Sequence, residues 1–297
     1  MSENRVVNQV EQVEIPTENR AKGDSFWRVS GVFPNIADLA IVYGLFILTQ
    51  LVGQFVAYIS GVSYDAAQLT SMDEELKQSA QYAYGLYSLV SYGSAMVLWL
   101  LSVVIYKYFR GDKGRLLHIA QGVNLIRVTL WGVLLTLSLS VVLSPLLEMM
   151  PKVPLYAGRG ITAIISLVVV APIFEEFICR GVILEALRRK SGVVAALILS
   201  SLFFALLHIQ ITLVVNAFIM GLMLGYFYIR TRSIVVPIVI HSINNALAYI
   251  LLYTSNADLT LSDVILNPTL YKVVYSVALV FLLLSVINIS RRVISLD

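Results

Sequence analysis

An all-α, polytopic membrane fold, with about eight transmembrane helices around a polar intramembrane cavity, is what this sequence predicts. Three observations carry that prediction. The 297 residues are 58% hydrophobic and 13% charged, with a mean hydropathy of +0.82, whereas soluble domains run near ~25% charged. Apolar runs of about 20 residues, the length that crosses a hydrocarbon core, recur along the chain. Ionisable or strongly polar residues then interrupt three of those runs: Glu175, Glu176 and Arg180 in one, His208 in another, and His241 with Asn245 in a third. A charged side chain at mid-bilayer costs roughly 2.5 to 3.5 kcal/mol even on a lenient scale, and such residues usually mark a wet interior. Three interruptions therefore point to one shared polar site.

Residues 1–30 are polar, lack the apolar stretch of a signal peptide, and are expected to form a disordered tail ahead of a transmembrane domain spanning 31–297. Within that domain the apolar windows fall near 36–60, 82–106, 128–149, 161–186, 192–209, 212–229, 234–254 and 270–289. The fifth and sixth are short and joined around Gln210 to Thr212, so they can form a tight hairpin that does not cross the full bilayer.

Lysine and arginine set the expected orientation, because they collect in cytoplasmic segments. With an inside N-terminus, the inside segments hold Arg5, Arg20, Lys22 and Arg28; Lys107, Arg110, Lys113, Arg115 and Arg127; Arg188, Arg189 and Lys190; Arg230 and Arg232; and Arg291 and Arg292. Outside segments hold only Lys77, Lys152, Arg159 and Lys272. The asymmetry fits eight crossings with both termini cytoplasmic; an odd number would scramble it.

Finer features obey the same logic. Gly221 and Gly225 would let the sixth span approach a neighbour closely. Pro172, one turn before Glu176, is expected to kink the fourth span, and Pro145 and Pro237 to do the same in the third and seventh. The single cysteine, Cys179, permits no intrachain disulfide. A net charge of +3, with basic residues beside apolar segments, argues against a nucleic-acid partner. No fixed-period repeat supports an inverted-repeat transporter.

The chemistry is read motif by motif. Glu176 and Arg180 are four apart on one helix face, so an ion pair between them offsets part of the cost of burial. Glu175 lies about 100° around the helix, without a sequence-local cation, and is the better candidate for a general base. Phe204 and His208 share a face of the fifth span, and His241 and Asn245 aim an imidazole and an amide toward one point. His118 falls in a basic loop and reads as solvated surface. Counted from the inside ends at about 1.5 Å per residue, Glu175 lies roughly 17–20 Å deep, Asn245 about 17 Å, His241 about 11 Å and His208 about 24 Å. His208 is the outlier, and a fifth span displaced inward would bring it level.

Glu-Glu-x-x-x-Arg (Glu175, Glu176, Arg180), Phe-x-x-x-His (Phe204, His208) and His-x-x-x-Asn (His241, Asn245), in this order on successive spans, resemble the three motifs of the CPBP intramembrane metalloprotease family. That family includes the type II CAAX prenyl endopeptidases and the bacterial Abi proteins. The resemblance covers about residues 160–254, with no departure at the motif positions. It implies an eight-helix endopeptidase of the bilayer, here expected in a bacterial cytoplasmic membrane, acting on a membrane-associated peptide or protein. By the same analogy, Glu175 with His208 activates a water, and His241 with Asn245 donates to the oxyanion. Glu176, Arg180 and Phe204 support them.

Two routes stay open for the chemistry: direct activation by glutamate, or a zinc held by Glu175, His208 and His241, although the helix-borne zinc signature is missing. Two rival functions also stay open: a non-catalytic membrane regulator or immunity protein on the same scaffold, and an ion-coupled transporter.

Overall fold

The computed structural model describes residues 33–114, 124–149, 158–208, 211–254 and 261–293. The N-terminal tail and the loop bearing His118 lie outside them. The regular structure of the described residues is entirely helical, with α1 at Ile36–Ile59, α2 at Glu74–Phe109 and α3 at Leu125–Glu148. A continuous run, Ile161–Leu206, comes next. It is not one helix: Gly192 sits at φ 78° and ψ 173°, outside helical space. Ser200 Oγ donates to the Cys179 carbonyl at 2.8 Å, although residues 21 apart on a straight helix would be about 31 Å apart. The chain therefore doubles back at Gly192, a residue that adopts positive φ without strain, giving antiparallel arms α4 (161–191) and α5 (193–206). Beyond them lie α6 at Ile211–Thr231, α7 at Val235–Thr254 and α8 at Pro268–Val293. Seven of the described helices, counting the doubled one once, are long and apolar enough to cross a membrane; the reversal makes eight long segments.

Two boundaries differ from the sequence expectation for physical reasons. α2 begins at Glu74 rather than near 82, because Asp73 caps it, accepting from the Glu75 and Leu76 amides. A polar helical turn is invisible to an apolarity window. α4 runs to 191 rather than 186, which corrects the depth count. Glu175 and His208 stand 17 and 16 residues from Gly192 on the two arms, so they are level without any displaced helix. At 14 residues, α5 is about 21 Å long and ends short of a ~30 Å core.

The prolines act differently from one another. Pro172 lacks a donor, and the turn just before it, Ile165–Val170, widens to i→i+5 bonding; a second such turn occupies Phe177–Leu184. Pro145 lies inside α3. Pro237 is in the first turn of α7, where no intrahelical donor is required, so it is not the kink expected of it.

One end of the bundle is an ionic lattice. The capping box of Asn35 and Asp38 opens α1. Buried Asp38 also accepts from Arg110 Nε at 2.7 Å and Tyr106 Oη at 2.6 Å. Arg189 pairs with Asp112 at 2.7 Å, and Glu185 with Arg188 at 2.7 Å and Arg232 at 3.5 Å. Lys190 donates to the Pro34 carbonyl at 3.2 Å. Basic residues drawn from several of the segments expected to lie inside thus meet at a single end. Between the ends, the outer faces expose Leu48, Leu51, Phe55, Leu101, Ile105 and Leu283, as lipid-facing surfaces do. Inside, the Phe46 and Trp99 rings meet at 4.9 Å, and Trp99 Nε1 reaches the Val42 carbonyl at 3.0 Å, tying α1 to α2.

Candidate active site

The two wide turns bracket Ala171–Glu176 and set the azimuth at which Glu175, Glu176 and Arg180 leave α4. Glu176 and Arg180 are both fully buried and paired at 2.9 Å, as the four-residue spacing predicts. Arg180 continues across to α6, donating to the Gly221 carbonyl at 3.1 Å, and its guanidinium lies 4.6 Å from the centre of the Phe204 ring. Gly221 permits this approach: a Cβ there would sit 3.1 Å from both Ser201 Cα and Cβ. Phe204 in turn meets His208 edge-on at 5.2 Å and His241 at 5.6 Å. The three supporting residues form one packed unit behind the two histidines.

In front of that unit lies a cavity of about 330 Å³, lined by Glu175, His208, His241 and Asn245 together with Tyr84, Ser88, Tyr92 and Ser166. All four candidate catalytic residues, from α4, the end of α5 and α7, therefore open onto one space. His241 Nδ1 is 3.0 Å from Glu176 Oε1. That carboxylate already accepts from Arg180, so the imidazole nitrogen facing it carries the proton. Its Nε2 faces Glu175 Oε2 at 3.9 Å. His208 Nδ1 lies 3.2 Å from the Phe204 carbonyl, which can only accept, so in the neutral ring Nε2 holds the lone pair. Asn245 gives one amide hydrogen to the Leu167 carbonyl at 3.0 Å and keeps a second.

Sequence reading missed the α2 wall. Tyr92 Oη donates to Glu175 Oε1 at 2.7 Å, and Ser88 shares a 3.2 Å hydrogen bond with Ser166. Tyr84, Ser88 and Tyr92 recur at four-residue spacing on one face of α2, but Tyr82, Tyr87, Ser91 and Ser94 lie among and beside them, so the sequence does not single that face out. Cys179 is fully buried beside the ion pair and lines no part of the cavity.

The zinc set considered from sequence fits poorly. Glu175 Oε2 and His241 Nε2 face each other, but among the described residues no three His, Cys, Asp or Glu side chains gather as ligands of one ion.

The cavity has a closed side. Toward the ionic end, Ile178, Cys179, Arg180, Val182, Ile183 and Leu184 are all fully buried. Toward the other end, where α4 starts, Ser166, Ser88 and Tyr84 line the space.

The segment that carries the motif residues resembles known proteins. Residues 158–247 match the family described as type II CAAX prenyl endopeptidase Rce1-like. A curated relative named "Putative membrane peptidase YdiL", from Bacillus subtilis (strain 168), is 34% identical over 83 residues, 28% of this chain. The match spans about a third (34%) of that relative's length. No solved structure matches the chain. Residues 158–247, the segment of this multi-pass membrane protein that matches the Rce1-like, type II CAAX prenyl endopeptidase family, hold every motif residue of the cavity.

Proposed function

We propose that the protein is an intramembrane endopeptidase that hydrolyses a peptide bond of a membrane-associated peptide or protein with a water activated by Glu175. The observation that carries the reading is the single cavity onto which Glu175, His208, His241 and Asn245 open, inside a bundle whose outer faces are apolar. Glu175 Oε2 takes the proton of the attacking water, and the His208 Nε2 lone pair orients that water. The second amide hydrogen of Asn245 serves the oxyanion. His241 donates to the same oxygen only when doubly protonated, because the Glu176 contact commits Nδ1; as the neutral ring, it presents a lone pair beside Glu175. The match of residues 158–247 to the type II CAAX prenyl endopeptidase family supports the reaction class.

The substrate reaches the cavity from the end opposite the ionic lattice, since the other side is sealed by Ile178 to Leu184. With the basic end and both termini cytoplasmic, that entrance faces the exoplasmic side.

A binding-only protein on this scaffold would not need a carboxylate left open to the cavity. The test is mass spectrometry of membrane-associated peptides in host cells carrying Glu175→Gln. A peptide that accumulates there, and that purified wild-type protein cleaves, supports the reading; an unchanged peptide profile overturns it.

A further inference from the structure

The cavity wall supplied by α2 lies outside the matched segment, yet it touches the proposed base directly. Tyr92 Oη donates to Glu175 Oε1 at 2.7 Å, while the second oxygen, Oε2, is the one that faces His241 Nε2 at 3.9 Å. The two oxygens of Glu175 are therefore inequivalent. One is held by a hydroxyl from a neighbouring helix, and the other is left for chemistry.

The two adjacent glutamates are held in different ways. Glu176 is gripped by Arg180 and His241, whereas among the described residues the hydrogen bond to Glu175 comes from Tyr92. A carboxylate on a three-torsion side chain facing an open cavity otherwise samples several rotamers. Catalysis by a general base depends on holding it within hydrogen-bond reach of the proton it takes. Tyr92 can hold it well because its ring packs against the main core of the bundle, so the hydroxyl is placed by rigid structure rather than by a mobile chain.

We infer that Tyr92 is a positioning residue for the peptidase reaction: its hydroxyl pins Glu175 Oε1, so that Oε2 alone is presented to the attacking water. This rests on the reading of Glu175 as the base.

The experiment replaces Tyr92 with Phe, with para-fluorophenylalanine, which fills the hydroxyl's space without a proton to give, and with para-aminophenylalanine, which restores a donor at the same place. Each is purified as the full chain, reconstituted in vesicles and assayed on a peptide that the wild-type protein cleaves, with Glu175→Gln alongside. A hydrogen bond to a charged group corresponds to about a ten- to hundredfold effect. The expected result is a fall of that size in kcat for the two donor-free variants, KM within about twofold, a thermal midpoint at which each variant is still folded at the assay temperature, and recovery of most of kcat with para-aminophenylalanine. Donor-free variants within about twofold of wild type, or an amino variant as slow as they are, would overturn the inference. If either donor-free variant fails to fold, the other and the amino variant give the same comparison. The two readings fail separately: an active Glu175→Gln removes the base, whereas an inactive Glu175→Gln beside fully active donor-free variants removes only Tyr92.

Discussion

Replacing Arg180 with Met should destabilise the protein far more than replacing both members of its ion pair. Arg180 and Glu176 are fully buried and 2.9 Å apart. Removing the guanidinium leaves a buried carboxylate whose remaining described partner is His241 Nδ1. Breaking a buried pair in this way costs about 3–5 kcal/mol, to which the lost contact with the Phe204 face adds about 0.5–2 kcal/mol. On the scale of ~2–4 °C per kcal/mol for large domains, the pair alone corresponds to a fall of roughly 6–20 °C in the thermal midpoint. The pair is also incompletely satisfied: Glu176 Oε2 and Arg180 Nε find no hydrogen-bond partner among the described residues. Its net stabilisation over neutral groups is therefore small. Glu176→Gln combined with Arg180→Met removes both charges yet keeps an acceptor for His241 Nδ1, so it should recover more than half of the loss. Heating series followed by size-exclusion chromatography in detergent would measure all three proteins. An Arg180→Met midpoint within about 3 °C of wild type, or a double variant no better than the single, would refute the reasoning.

Other outcomes rest on single contacts. Gly221→Leu should part α5 from α6 and lower the midpoint more than Gly44→Leu, because a Cβ at 221 already meets Ser201 at 3.1 Å whereas one at 44 meets nothing within 4 Å; equal effects would contradict the close approach. Burial alone would raise the Asp112 carboxyl, but the Arg189 hydrogen bond, the Gly114 amide and Lys107 outweigh it and hold it below the usual carboxylate range. A carboxyl lowered by folding contributes stability above its unfolded value of about 3.9, and that stability is lost as pH falls through the lower folded value. Asp112→Asn should therefore be less stable than wild type near neutrality, with the gap narrowing below about pH 4, as read from thermal midpoints across pH; a constant gap would count against the Arg189 pair. In a Cys179→Ser background, Ser88→Cys, on the half-buried cavity wall of α2, should react with a membrane-impermeant maleimide added to the exoplasmic face and not the cytoplasmic face; the reverse pattern would invert the proposed entrance.

Much of this fold was legible because lipid imposes simple rules. Apolar windows found every long helix among the described residues, and Arg188, Arg189 and Lys190, expected inside between two windows, sit just before the reversal that the backbone makes at Gly192. What escaped were features that apolarity does not encode. The first two turns of α2 are polar but helical. The wide turns around Ala171–Glu176 change helical phase without changing composition. The last five residues of α4 continue past the apolar window, and that alone made His208 look too deep. In the site, Glu176 with Arg180 was readable because both partners sit on one helix. Tyr92 was not, because its partner is 83 positions away on another helix and nothing local to α2 names it.

The measurement that bears most directly on the proposed mechanism is the cleavage rate of Glu175→Gln protein in vesicles, on a peptide the wild type cleaves. With Glu175 as the base, the rate should fall about 10²- to 10⁴-fold while peptide binding is retained. Cleavage by Glu175→Gln at close to the wild-type rate would contradict the mechanism.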